Sequence, residues 1–205
     1  MLIERGRHPR FAIGESSTPL ANLLLEELAD RYGLSRIRPF SKWGTWQRER
    51  PDVAGGLKRG FTFFFHQFGK PFADEPDRAN ELLVAASPHD EIGDTHWYRP
   101  AFDHALVREA EAAGTIYLDE TTLDRVSEHA SSISLEGVRR GRNLQINARF
   151  LIDASGPRGF LHRALGLEEV VPHWLPHTHG VYSHFQNVER WDRLRPASEP
   201  PPSRS

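Results

Sequence analysis

The 205 residues predict an α/β chain with short parallel strands, a three-stranded antiparallel meander and pieces of a second sheet. Three observations carry this expectation. Two stretches, Leu20 to Tyr32 and Pro100 to Ala113, repeat apolar residues at helical spacing and are followed by Gly33 and Gly114. Short apolar runs at Leu2-Ile3, Ile116-Tyr117 and Leu151-Ile152 read as buried parallel strands. Between the last two, residues 121–151 alternate apolar and polar positions, as half-buried strands do.

Taken in chain order, the first strand ends at Glu4 and enters a basic, proline-containing loop over residues 5–10. Pro19 suits the first turn of the helix that follows, since its missing N–H is one the helix leaves unused. Residues Phe40 to Gly56 read as a loop whose Trp43 and Trp46 cover a surface or line a cavity. Phe61 to Phe68 reads as a strand between Gly60 and Gly69, and its Phe63 to Phe65 run as a doubly buried strand or a pocket wall. Lys70 to Asp94 is polar and broken by Pro71, Pro76 and Pro88, with one short apolar element at Leu82 to Ala86. A helix from Pro100 feeds a strand at Thr115 to Leu118. Meander strands are expected at Leu123 to Glu128, Ser131 to Glu136 and Asn143 to Leu151, then a short helix at Phe160 to Leu165. The tail from Pro196 to Ser205 is proline- and serine-rich and reads as disordered.

Composition excludes several function classes. Twenty-six Lys+Arg against 28 Asp+Glu leave no basic excess for a nucleic-acid partner, and the Phe63 to Phe65 run has no accompanying basic stripe. The absence of cysteine removes disulfide frameworks, thiolate metal sites and cysteine nucleophiles, and is compatible with a reducing cytoplasm. No apolar run approaches the roughly 20 residues of a membrane span, and no signal-peptide core follows Met1. A soluble, cytoplasmic protein acting on small molecules is expected. His173, His177, His179 and His184 cluster in sequence, but Pro172 and Pro176 bend their segment, so no metal site is expected.

Four segments, in one order, resemble those of flavin-dependent halogenases and related FAD monooxygenases. Leu2-Ile3-Glu4-Arg5 resembles the strand end whose acid accepts from both ribose hydroxyls of a dinucleotide, though a surface Glu after a strand would look the same. Arg10 to Pro19 resembles the family's R-x-x-I-G-E-S-x-x-P segment, which passes near the flavin ring and the pyrophosphate. There Gly14 would permit close backbone approach, and Ser17 or Thr18 could equally cap the next helix. His96 to Asp103 resembles the family helix with R-x-x-F-D-x-x-L, whose arginine approaches the FAD phosphates; an Arg99 paired with Asp103 is the structural alternative. Asp153-Ala154-Ser155-Gly156 resembles the D-A-S-G strand end beside the cofactor, and by itself reads as a tight turn into a helix.

The resemblance runs to about Trp191 and implies an incomplete glutathione-reductase-type FAD-binding fold. Residues 1–56 and 95–170 would be parts of the FAD-binding domain. Residues 57–94 and 171–195 would be substrate-domain segments, with a sheet start around Val181 to Phe185. No G-x-G-x-x-G occurs in the 205 residues, nor the family's downstream glycine-aspartate motif, so an internal slice of such a protein is expected. The cofactor implied is FAD, contacted by Glu4, Arg10, Gly14, Ser16, Arg99, Asp153 and Gly156. The implied partners are a small organic substrate, halide, O2 and a separate flavin reductase. Leu57-Lys58-Arg59-Gly60-Phe61 resembles the segment carrying the family's strand lysine, which meets hypohalous acid and passes the halogen to substrate. In an apolar setting beside Phe61 and Phe63 such an amine would have a lowered pKa. The alternatives are a lysine exposed before its strand, a hydroxylase or reductase rather than a halogenase, and a non-catalytic remnant or interaction module.

Overall fold

The computed structural model describes residues 1–73, 77–85, 87–157, 159–170, 172–176, 178 and 180–189. The chain divides into two units, Met1–Leu151 and Ile152–Ser205. In the first unit β1 (Leu2–Ile3) leads into a loop and then α1 (Pro19–Tyr32). Thr18 caps α1 by accepting the Ala21 N–H at 3.2 Å, and Gly33, at φ 67°, closes it in the left-handed conformation glycine tolerates.

Where a loop with two tryptophans covering a surface or lining a cavity is expected, a 3-10 turn (Arg38–Ser41) and α2 (Trp43–Glu49) form instead. Packing explains the difference. Phe40 and Trp46 are fully buried and join Val53, Phe102 and Ala105 in the core of this unit. The Phe40 and Trp46 rings meet edge to face at 4.7 Å, and Trp97 stacks on Phe102 at 4.6 Å. The Trp46 indole donates to the Val53 carbonyl at 2.9 Å, which removes the cost of burying its N–H. Gly55 leaves room for that indole: a Cβ there would lie 2.6 Å from the ring.

Two antiparallel pairs follow. β2 (Gly55–Lys58) pairs with β5 (Asp94–Trp97), and β3 (Gly60–Phe64) pairs with β4 (Glu81–Ala85). The Phe61 to Phe68 run is thus strand only as far as Phe64. Phe63, Phe64, Phe65 and Phe68 are exposed, so this stretch is neither doubly buried nor a pocket wall within the described residues. α3 (Arg99–Ala112) leads to β6 (Tyr117–Leu118), which lies parallel to β1 with Leu2 opposite Tyr117. The expected third parallel strand at Leu151-Ile152 is not formed, and Val181 to Phe185 is not a strand either. A strand exists only where a neighbour completes its hydrogen bonds, and none does so for these two runs among the described residues.

The meander is present as β7 (Thr121–Glu128), β8 (Ile133–Arg139) and β9 (Arg142–Ala148). Arg140 and Gly141, both at positive φ, form the two-residue turn between Arg139 and Arg142, the geometry that matches the twist of an antiparallel pair. In the second unit α4 (Phe160–Ala164) is the one element among the described residues. Residues 196–205, expected to be disordered, and His177 and His179 lie outside the described residues. No helix among the described residues is long and apolar enough to cross a membrane.

Candidate functional site

The β2–β5 pair organises the site. Its register sets Gly56 opposite His96 and Lys58 opposite Asp94, so these four residues share one face of the ladder. The Glu15–Ser17 segment runs along the other edge of β5: Ser16 bridges His96, the Trp97 N–H donates to the Glu15 carbonyl at 2.7 Å, and the Ser17 hydroxyl donates to the Thr95 carbonyl at 2.6 Å. The segment is held as an irregular third strand. It brings Gly14 and Ser16 to within one strand of Lys58.

Lys58 is 3% exposed, which excludes the solvent-facing alternative. Its ammonium donates to the Ser17 carbonyl and sits 3.8 Å from the centre of the Phe61 ring. Burial pushes the amine below the usual lysine value, and the Asp94 carboxylate opposes that shift. The imidazole of His96 is likewise held below the ordinary histidine value, by burial first and then by the nearby Lys58 charge, with Glu15 acting the other way.

Arg99 spends four of its five N–H groups inside the chain. Nε and Nη2 form a fork onto Asp103 at 2.6 and 2.9 Å, and Nη1 donates to the carbonyls of Ile13 at 2.8 Å and Gly14 at 3.3 Å. The Asp103 pair raises its pKa further. Gly14, at φ 96°, has the left-handed backbone that lets its carbonyl and that of Ile13 converge on one guanidinium. Arg99 therefore clamps the same segment that β5 holds by its other end.

A second polar group lies where β1 and β6 end together, the side of a parallel sheet that receives ligands. Glu4 accepts the Gly6 N–H at 2.9 Å and the Arg10 Nη2 at 3.0 Å. Burial alone would raise its carboxyl, but the Gly6 N–H and the Arg10 guanidinium more than offset this and hold it below the usual value. Around it, His8 Nδ1, Arg10 Nε and Tyr117 Oη are buried without a hydrogen-bond partner. Three such atoms close to one carboxylate are unusual in a folded chain.

In the second unit Asp153 accepts the N–H groups of Ser155 at 2.8 Å and Leu161 at 2.7 Å, and Ser155 Oγ accepts that of Phe160 at 2.9 Å. The Ser155 hydrogen bond leads the effects that lower the Asp153 carboxyl. Gly156, at φ 86°, turns the chain between them with open space at its Cβ. This is the tight turn into a helix that the four residues also suggested.

Sequence reasoning did not single out Asp94, Asn22, Thr95, His8 or Tyr117. Asn22 was the one legible signal, as a polar residue among the leucines of α1; it is 4% exposed and donates to Asp94 Oδ1 at 2.9 Å. No cluster of His, Asp and Glu that could hold a metal occurs among the described residues.

No family model matches the chain. Among curated proteins it is 29% identical over 194 residues to monodechloroaminopyrrolnitrin halogenase PrnC of Pseudomonas fluorescens, covering 95% of this chain and 33% of that protein. It is also 29% identical over 194 residues to tetracycline 7-halogenase of Kitasatospora aureofaciens, covering 94% and 33%. Its fold matches that of halogenase PltM, solved with phloroglucinol and FAD, with a TM-score of 0.68 and 24% identity over 80% of this chain and 31% of that one. The chain spans about a third of the length of these relatives. Over the portion it spans, the chain is similar in sequence to these two halogenases and in fold to PltM.

Proposed function

We propose that this chain contributes the lysine-bearing strand and part of the FAD site of a flavin-dependent halogenase acting on a small organic substrate. The observation that carries the reading is Lys58: a buried amine whose ammonium contacts the very segment, Gly14 to Ser17, that resembles the flavin-contacting loop. Residues 1–56 and 95–170 serve the FAD-binding part, and 57–94 and 171–195 the substrate part.

The polar group around Glu4 fits FAD, because its three unpartnered polar atoms would suit ribose hydroxyls held by Glu4 and Arg10. Gly14 and Ser16 would line the cofactor with backbone, and the remaining N–H of Arg99 would face a phosphate. Asp153 and Gly156 are the contribution proposed for the second unit. When bound and reduced, by a separate flavin reductase, FAD supplies the activation of O2 that converts halide to hypohalous acid.

The chain's own residues act after that. The Lys58 ammonium donates a hydrogen bond to the hydroxyl oxygen of the hypohalous acid and holds its halogen toward the substrate. The electron-rich substrate carbon takes the halogen, the O–X bond breaks, the carbon releases its proton and water leaves. Burial of Lys58 excludes bulk water that would compete for the reagent.

The test is Lys58→Ala in a full-length, flavin-loaded protein, with product followed by mass spectrometry in the presence of bromide. Halogenated product should disappear while flavin reduction and O2 consumption continue. Undiminished halogenation in the variant would remove Lys58 from the chemistry. Oxygenated product without halogen in the parent protein would favour a hydroxylase.

A further inference from the structure

Lys58 stands on β2 opposite Asp94 on β5, and Ser17 lies beyond the far edge of β5. To reach the Ser17 carbonyl, the lysine side chain has to cross β5 beside Asp94. Asp94 is 6% exposed. Its Oδ1 accepts from Asn22, and Asn22 Oδ1 accepts from Thr95 Oγ1 at 3.4 Å, so one carboxylate oxygen is fixed by α1. Its Oδ2 is buried with no hydrogen-bond partner. A buried carboxylate oxygen left without a donor is costly, and the cation facing it across the ladder is Lys58.

We propose that Asp94 is a positioning residue for Lys58, offering its ammonium a second buried acceptor in Oδ2, so that the amine alternates between Asp94 and the Ser17 carbonyl. Directly opposed residues of an antiparallel pair have Cβ atoms about 4.5–5.5 Å apart, well within the sweep of a four-carbon stem. At the Ser17 carbonyl the amine lies against the Gly14–Ser17 segment; at Asp94 it is drawn back onto β5. The other groups facing it are the Phe61 ring, His96 on the same face of β5, and Glu15 at the edge beyond. Arg59, the next residue, is turned away and paired with Asp90 at 2.7 Å. The functional consequence rests on the halogenase reading of Lys58, but the contact itself does not.

The test uses the 205-residue chain with 15N,13C-labelled lysine and aspartate. Its three lysines, Lys42, Lys58 and Lys70, give a simple spectrum that Lys58→Arg assigns. A coupling across the hydrogen bond between Lys58 15Nζ and Asp94 13Cγ is expected. Its absence from the wild-type spectrum at pH values where Lys58 is charged would overturn the proposal. In Asp94→Asn the Lys58 titration midpoint should fall below its wild-type position, since burial would then act unopposed, and Asp94→Glu should restore it. An Asp94→Asn midpoint equal to wild type would also overturn it. Should Asp94→Asn not fold, the wild-type coupling decides alone. Because neither readout involves halogenation, a failed Lys58→Ala product assay and a failed Asp94 contact remain distinct results.

Discussion

Replacing Arg99 with alanine removes four hydrogen bonds at once, two onto Asp103 and two onto the carbonyls of Ile13 and Gly14. Hydrogen bonds to charged groups contribute roughly 1.5–3 kcal/mol each when a partner is left buried. These do not sum. The Arg99 side chain is 26% exposed and that of Asp103 13%, so water recovers part of the loss and screens the pair. The expected cost is about 2–3 kcal/mol, seen as a lower urea midpoint at unchanged slope. Arg99→Lys should recover about half of it, because one ammonium cannot serve both the carboxylate and the two carbonyls. The Arg99→Ala, Asp103→Ala double mutant should be less destabilised than the sum of the single variants. Amide hydrogen exchange at Gly14–Ser16 should accelerate in Arg99→Ala while the meander stays protected. An Arg99→Ala stability within about 0.5 kcal/mol of wild type, with additive singles, would refute the clamp. Arg99 would then be free to serve a phosphate alone.

Trp46→Ala should cost about 3–5 kcal/mol, since it empties the centre of the Phe40, Trp46, Phe102 cluster and strands the Val53 carbonyl. A near-wild-type urea midpoint would show that this cluster is not the core. Two half-buried histidines, His8 and His96, have values depressed by burial first of all. In each the folded state resists a proton the unfolded chain accepts, so stability present above about pH 6.5 should be lost as pH falls through the unfolded value toward the folded ones. Urea midpoints at pH 5.5 and 7.5 check this; equal midpoints, or His96→Gln leaving the slope unchanged, would count against it. The 205-residue chain lacks a glycine-rich phosphate loop and is expected to purify without bound flavin. Stoichiometric flavin absorbance in the purified chain would show that the residues present suffice to hold the cofactor.

Much of the local structure was legible because its causes are local. The α1 boundaries follow from Thr18, Pro19 and Gly33, whereas of the turn signals Gly137 and Gly141 only Gly141 lies in the turn, since β8 continues through Gly137 to Arg139. The order of the motif-bearing segments likewise needed only the chain. The miss at Phe40 to Glu49 has a different origin. Seven residues with Gly44 and two tryptophans carry little helix propensity, and they form α2 because Trp46 gains Phe40, Phe102 and Val53 as neighbours.

The sequence by itself supplied the candidates: a lysine before a strand, an acid after β1, an arginine opening α3. Their partners were decided by tertiary structure alone. That Lys58 is buried, faces Asp94 and touches Ser17 depends on a β2–β5 register joining residues 36 apart in the chain and on a loop laid along the far edge of β5. The physical reason is that strand hydrogen bonds carry no residue code. Register is set by which side chains the core accepts, here Trp97 stacked on Phe102 and the Trp46 ring lodged over Gly55, and everything opposite Asp94 follows from that packing.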